Sequence, residues 1–363
     1  MATVGTARRA PLRRVGTTAA PGEARRGRPD EATARPRARR GRLGTAAALL
    51  AVALAASLTA GCTGGEGPAD DGRGRDREPG ATESTEPPES GPGKGSVLAV
   101  KIDNVRRARP HTGLNAADVV YVEQVEGGLS RLMAVYATRL PEAVGPVRSA
   151  RETDLELLGQ FDRPTLAFSG AQRKLLPLIE QAPVRAEPPG LTPGAYYRGT
   201  GRPAPHNLYL RPGALLPEPA GPAALTTGFR YGAAPSGGTE TASRTVTYPA
   251  ARFTFTWSER WGRWLVSMDG TAATTTDAGP VAPATVVVQY VNLRKSDYYD
   301  SLGNNTPFTE TVGSGRAEVL RDGKVHEVRW KRGSASEGTH FTTNDGAPVN
   351  FAKGQIWVVF AKA

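Results

Sequence analysis

The chain has 363 residues, a formal net charge of +11, 30 Pro and 43 Gly, which is length enough for two modest domains but a composition that marks part of it as non-globular. Twelve of its 46 basic residues and three of its 35 acidic residues fall within residues 1–61, so the rest carries 34 against 32, a net of +2, and the basic excess lends no support to nucleic-acid binding. One cysteine, Cys62, excludes an intramolecular disulfide, so the body folds on its core alone.

Residues 1–42 hold those twelve arginines, with Val4 and Val15 as alternative starts, and an apolar run extends from Leu43 to Leu58. This is the basic n-region and apolar h-region of an export signal, and the run is shorter than the roughly 20 residues that span a bilayer. Arg39-Arg40 leaves Sec and twin-arginine export both open. Leu58-Thr59-Ala60-Gly61-Cys62 resembles a lipobox. Small residues admit the peptidase, and the Cys62 thiol then carries the diacylglycerol, although Thr59 stands where that pattern favours Leu. Residues 1–61 are accordingly the signal peptide. Residues 62–95 are a lipidated cysteine and a tether too poor in apolar groups to order itself.

An α/β domain is expected over residues 96–215. Val97–Asp103 is an apolar run that predicts a buried strand; Asn115 is placed to cap one turn, and Val119–Val125 and Leu132–Thr138 predict two more strands. Ser149 with Glu152 three positions on has capping-box spacing, which predicts a helix over 150–160. Thr165–Ser169 follows as a strand and Gln172–Gln181 as a helix kinked at Pro177. Residues 216–239 form a linker rich in Pro, Ala and Gly. From residue 240 to 363 the period changes to two, in runs such as Phe253–Trp257, Trp264–Met268 and Val286–Val291. Asp269-Gly270, Asp322-Gly323 and Asp345-Gly346 supply hairpin turn chemistry. The fold class is thus α+β in two domains, the N-terminal one α/β and the C-terminal one mostly antiparallel β.

HExxH, GxxxxGK[ST], GxSxG and SxxK signatures are absent. Cys62 belongs to the anchor, which excludes a cysteine nucleophile. His111, His206, His326 and His340 lack metal-ligand spacing, and no cofactor motif occurs. Polar groups instead concentrate at predicted strand ends and the loops after them, where α/β sheets hold ligands: Asp103-Asn104, Glu126 to Arg131, Arg148 to Arg151, and His206-Asn207.

VLAVKIDN, GLNAADVVYVEQVEGG, SRLMAVYA, GPVRSARETDLELL and APHNLY in the first half, with VVVQYV, GSGRAEVLRDGKVHEVRWKR and GQIWVVF in the second, resemble the YerB-like lipoproteins over residues 96–363. These are exported bacterial proteins whose two halves are both classed as domains of unknown function. The resemblance implies a lipoprotein at the outer face of the cytoplasmic membrane and a two-domain layout, but no reaction.

The residues themselves point to three functions. Arg131, Arg148 and Arg151, with Asn104 and Asn207, could bind an anion near a helix N-terminus, such as a peptidoglycan fragment or another wall polymer; Arg148 could equally form a structural pair with Glu126 or Asp103. Asp103 and Glu126 could serve as acid and base on a wall glycan, with His206 a candidate base or a hydrogen-bonded structural residue. The third function is a scaffold for wall-synthesis proteins. Trp257, Trp261, Trp264, Trp330 and Trp357 could stack on sugars, although tryptophans in short strands usually lie in the core.

Overall fold

Residues 95–300 and 302–363 are described in the computed structural model. The predicted signal peptide, Cys62 and most of the tether lie outside the described residues.

Near-continuous apolar strands are buried on both faces and need a layer on each side. The first segment supplies β1 (Leu98–Asp103), β2 (Val119–Gln124), β3 (Ser130–Tyr136), α1 (Glu152–Leu158), β4 (Thr165–Ala167), α2 (Leu176–Gln181), β5 (Arg185–Glu187) and the pair β6 (Tyr196–Arg198) and β7 (Leu208–Leu210). The second segment supplies β8 (Ser243–Tyr248), β9 (Ala251–Ser258), β10 (Arg263–Met268), β11 (Thr285–Val291), β12 (Leu293–Tyr299), β13 (Asn305–Thr309), β14 (Gly313–Arg321), β15 (Lys324–Arg332), β16 (His340–Thr342) and β17 (Ile356–Lys362). No helix among the described residues is long and apolar enough to cross a membrane.

One mixed sheet runs in the order β16-β15-β14-β11-β17-β2-β3-β1-β4-β5, with Thr239–Glu240 added on β15. The C-terminal β17 lies between β2 and β11, parallel to both, so strands of both halves share this sheet. On one face, Val100, Ile102, Val122, Leu132, Trp357 and Val359 pack against Tyr248, Phe253, Phe255, Trp264 and Val266 of the β8-β9-β10 sheet. On the other, Ala99, Tyr121, Met133, Val319 and Val358 pack against Leu157 and Leu158 of α1 and Ile179 of α2. The architecture is α+β: a mixed sheet followed by antiparallel sheets.

Several local expectations shift. α1 starts at Glu152 rather than Ala150, with Arg151 at the cap position, because Ala150 N bonds Gly170 O and Ser169 N bonds Arg148 O, holding residues 148–150 extended. The capping carboxylate is Asp154, whose Oδ2 accepts from Arg151 N at 2.6 Å. α2 begins at Leu176 with Pro177 in its first turn; proline there starts a helix, since its missing N–H would have no partner. The Asn115 turn is a short 3-10 segment, Leu114–Ala116, preceded by Gly113 at φ +74°. Asp269-Gly270 and Asp322-Gly323 have positive φ at both residues, as a tight hairpin needs, whereas at Asp345-Gly346 only the glycine does.

Candidate functional site

The expected polar segments meet at the carboxyl end of β1. Over Leu98–Val100 this strand pairs with β4 in parallel, but from Ile102 its partner on that side is the 146–148 segment: Asp103 N bonds Pro146 O at 2.9 Å and Arg148 N bonds Lys101 O at 2.8 Å. Strand ends at a change of strand partner are the position where such sheets take ligands.

Register sets the floor. Asp103 of β1 and Glu123 of β2 both oppose Arg131 of β3, so the three side chains share the face beneath α1. Asp103 is wholly buried. Its Oδ2 lies 2.8 Å from His206 Nδ1 and 3.4 Å from Arg148 Nε, and its Oδ1 lies 3.4 Å from Val105 N. Glu126, in the 126–128 turn, takes Arg151 on both oxygens, at 2.7 and 2.8 Å, and Thr306 Oγ1 from β13. Burial pushes the Glu126 carboxyl up, but Arg151 and Thr306 outweigh it and hold the group below the usual carboxylate range.

The arginines therefore divide. Arg151 is committed: beyond Glu126 it donates to Ser149 O and Ala150 O. Arg148 leans on Asp103 through Nε and keeps 27% of its side-chain surface exposed. Arg131 is 6% exposed, and neither its Nε nor its Nη1 has a hydrogen-bond partner. Burial, then the neighbouring Arg151, pushes this guanidinium down to about 10 in spite of Asp103.

Asn104 and Asn207 are bound within the protein. Asn104 donates to Ser130 Oγ at 2.9 Å and accepts from Arg109 Nε at 3.1 Å; Asn207 donates to Gly199 O and accepts from Arg198 Nη1. His111 is also buried, with Nε2 2.9 Å from Asp103 O, and burial pushes its ring down to about 4, which keeps it neutral. Asp103 and Glu126 are held by different cations, and Glu126 is fixed as an anion, the opposite of what a general acid requires. The tryptophans form no shared platform: Trp264, Trp330 and Trp357 are buried in the core, and Trp261 is exposed in the β9–β10 turn.

Behind the site lies a buried lysine that its sequence pattern alone did not mark as functional. Lys101 Nζ, wholly buried, donates to Glu123 Oε1 and, at 2.6 Å, to Asp154 Oδ1. Burial and then the Asp154 charge raise the Glu123 carboxyl well above its ordinary range. A lysine amid VLAVKID was the available signal, because a charge in a strand buried on both faces must be paired. Arg332 is unmarked in the same way; it is 1% exposed and donates to Glu156 O and Leu157 O near the end of α1.

Two family models match the chain. Both are described as a protein of unknown function (DUF3048), the N-terminal domain over residues 83–222 and the C-terminal domain over residues 244–358. YerB of Bacillus subtilis (strain 168), provisionally designated a lipoprotein, is 25% identical over 280 residues, covering 72% of this chain and 80% of its own. The crystal structure of the YerB protein from Bacillus subtilis superposes with a TM-score of 0.62 at 22% identity, over 74% of this chain and 91% of that one.

Proposed function

The chain belongs to the DUF3048 family of YerB-like proteins, and from that premise we propose that it is an envelope lipoprotein whose site at the end of β1 binds an anionic ligand. The anchor is the lipid on Cys62, which holds the body at the outer face of the cytoplasmic membrane. The ligand is a peptidoglycan fragment or another wall polymer, whose carboxylate or phosphate groups suit guanidinium donors.

One observation carries the reading. Arg131 is buried with two donor nitrogens unpartnered, although buried polar groups are nearly always satisfied. An anion entering beside the partly exposed Arg148 would supply the missing acceptor. Arg151, bound to Glu126, shapes the wall without contacting the ligand.

The test is binding of soluble peptidoglycan fragments and wall polymer to the full chain, followed by mass spectrometry, with Arg131→Met as the comparison. Methionine keeps the stem and removes the charge. Losing charge-assisted hydrogen bonds worth about 1.5–3 kcal/mol would weaken binding roughly 10- to 150-fold. Equal binding by a folded Arg131→Met protein, or none by the wild type, would refute the reading.

A further inference from the structure

Resting on the anion-site reading above, we propose that His206 is the general base of a hydrolytic centre at this site, which cleaves the phosphoanhydride bond of an organic diphosphate while Asp103 positions the ring.

The geometry starts from the ring. His206 Nδ1 lies 2.8 Å from Asp103 Oδ2, and an ionised carboxylate can only accept, so Nδ1 carries a proton and in the neutral ring Nε2 holds the lone pair. The side chain is 15% exposed, and no described group hydrogen-bonds Nε2. A partly exposed base with one ring nitrogen fixed by a buried carboxylate and the other unpartnered is the arrangement that activates a nucleophile. Asp103 cannot be that base itself: it is wholly buried and surrounded by His206, Arg148 and Val105 N.

Two further observations select the substrate class. Arg131 and the partly exposed Arg148 present two guanidinium groups near one carboxylate, a net positive charge with free donors suited to the oxygens of an anionic ligand. Neither Glu126 nor Glu123 offers an acid to the site. Glu126 is held below the usual carboxylate range by Arg151 and Thr306, and Glu123 is 1% exposed behind Lys101. The other raised carboxyl, Glu152, stands among Arg294, Asp297 and Glu156. The leaving group must then depart without receiving a proton. A sugar alkoxide does this poorly, whereas a phosphate leaves readily as an anion.

The step balances with water alone. The water oxygen forms a bond to the terminal phosphorus as His206 Nε2 takes its proton. The bridging P–O bond breaks, and its electron pair leaves on the organic monophosphate. Arg131 and Arg148 offset the charge on the phosphoryl oxygens. The ring returns its proton to solvent, and the products are orthophosphate and the monophosphate.

The full chain would be incubated with inorganic pyrophosphate and, separately, with ADP, following orthophosphate release and measuring pyrophosphate binding by calorimetry. Gln at 206 can still donate to Asp103, so His206→Gln is expected to fold, to bind pyrophosphate within about threefold of wild type, and to lose roughly 100-fold or more in kcat. Asp103→Asn should lower kcat more than it changes KM. Binding without release from either substrate, or undiminished release by His206→Gln, overturns the catalytic proposal and leaves the anion site standing. The absence of both binding and release overturns the diphosphate proposal, while the anion-site reading stands or falls on the wall-fragment binding of wild type and Arg131→Met.

Discussion

Replacing Lys101 with methionine tests the electrostatics beneath the site most directly. Lys101, Glu123 and Asp154 are each at most 1% exposed, and Lys101 is the cation bonded to both carboxylates. Methionine fills nearly the same volume, so packing changes little and the loss is one of charge. Removing one partner of a buried pair costs about 3–5 kcal/mol, against a total stability of about 5–15 kcal/mol for a typical domain. With a urea m-value of about 3 kcal/mol/M, the unfolding midpoint should fall by roughly 1–1.7 M. The pH dependence has a definite sign. Glu123 is raised in the folded state, so its contribution is complete below its unfolded pKa and declines as pH rises through the folded one. Without Lys101 that carboxyl rises further, so the deficit relative to wild type should be flat up to the wild-type folded value of about 8 and widen above it. Glu123→Gln, which replaces a carboxyl already biased towards its neutral form, should cost only about 1 kcal/mol. A Lys101→Met deficit below about 1 kcal/mol, or one that does not change with pH, would refute a charge-coupled buried triad.

Two other changes address the walls of the site. Gly127 and Gly128 both have positive φ, but a Cβ on Gly127 meets nothing within 4 Å, whereas one on Gly128 would stand 2.5 Å from Pro249 Cβ. Gly127→Ala should cost about 1–2 kcal/mol from the backbone alone, and Gly128→Ala about 1–3 kcal/mol more as the β8–β9 turn is displaced; equal melting temperatures would contradict this close approach. Glu126 is depressed in the folded state, so its contribution is present above its unfolded pKa and lost as pH falls through the folded one. Glu126→Gln should therefore destabilise at pH 7 and differ progressively less from wild type in acid, as urea midpoints between pH 7 and pH 2 would show.

Much of the scaffold was legible because its signals are local. VLAVKID and VVVQYV are strands buried on both faces, and Asp-Gly dipeptides marked two hairpins where positive φ occurs at both residues. What failed to show was tertiary. Ser149 has the chemistry of a cap, yet the 148–150 segment is held extended by residues 169 and 170, and no local propensity records that competition. The sharing of one sheet by both halves rests on β17 lying beside β2, a contact between segments more than 200 residues apart. The polar segments of the site could be found from their places at strand ends, but their pairing could not. Whether Arg148 or Arg151 would take Glu126 depends on where α1 begins, and the helix begins two residues later than its sequence signal implies.

That two-residue displacement decides the chemistry of the site. With Arg151 at the cap position, its guanidinium reaches back to Glu126, and Thr306 arrives from the second segment to complete that carboxylate's shell. Glu126 is thereby satisfied and unavailable to Arg131, whose register partners are Asp103, already shared by His206 and Arg148, and Glu123, held by Lys101. Every nearby carboxylate is thus engaged by another cation, and Arg131 is left with two unpartnered donors. A buried guanidinium in that position lowers stability unless something binds it. Its place at the centre of the cluster fits the holding of an anion better than a contribution to the fold.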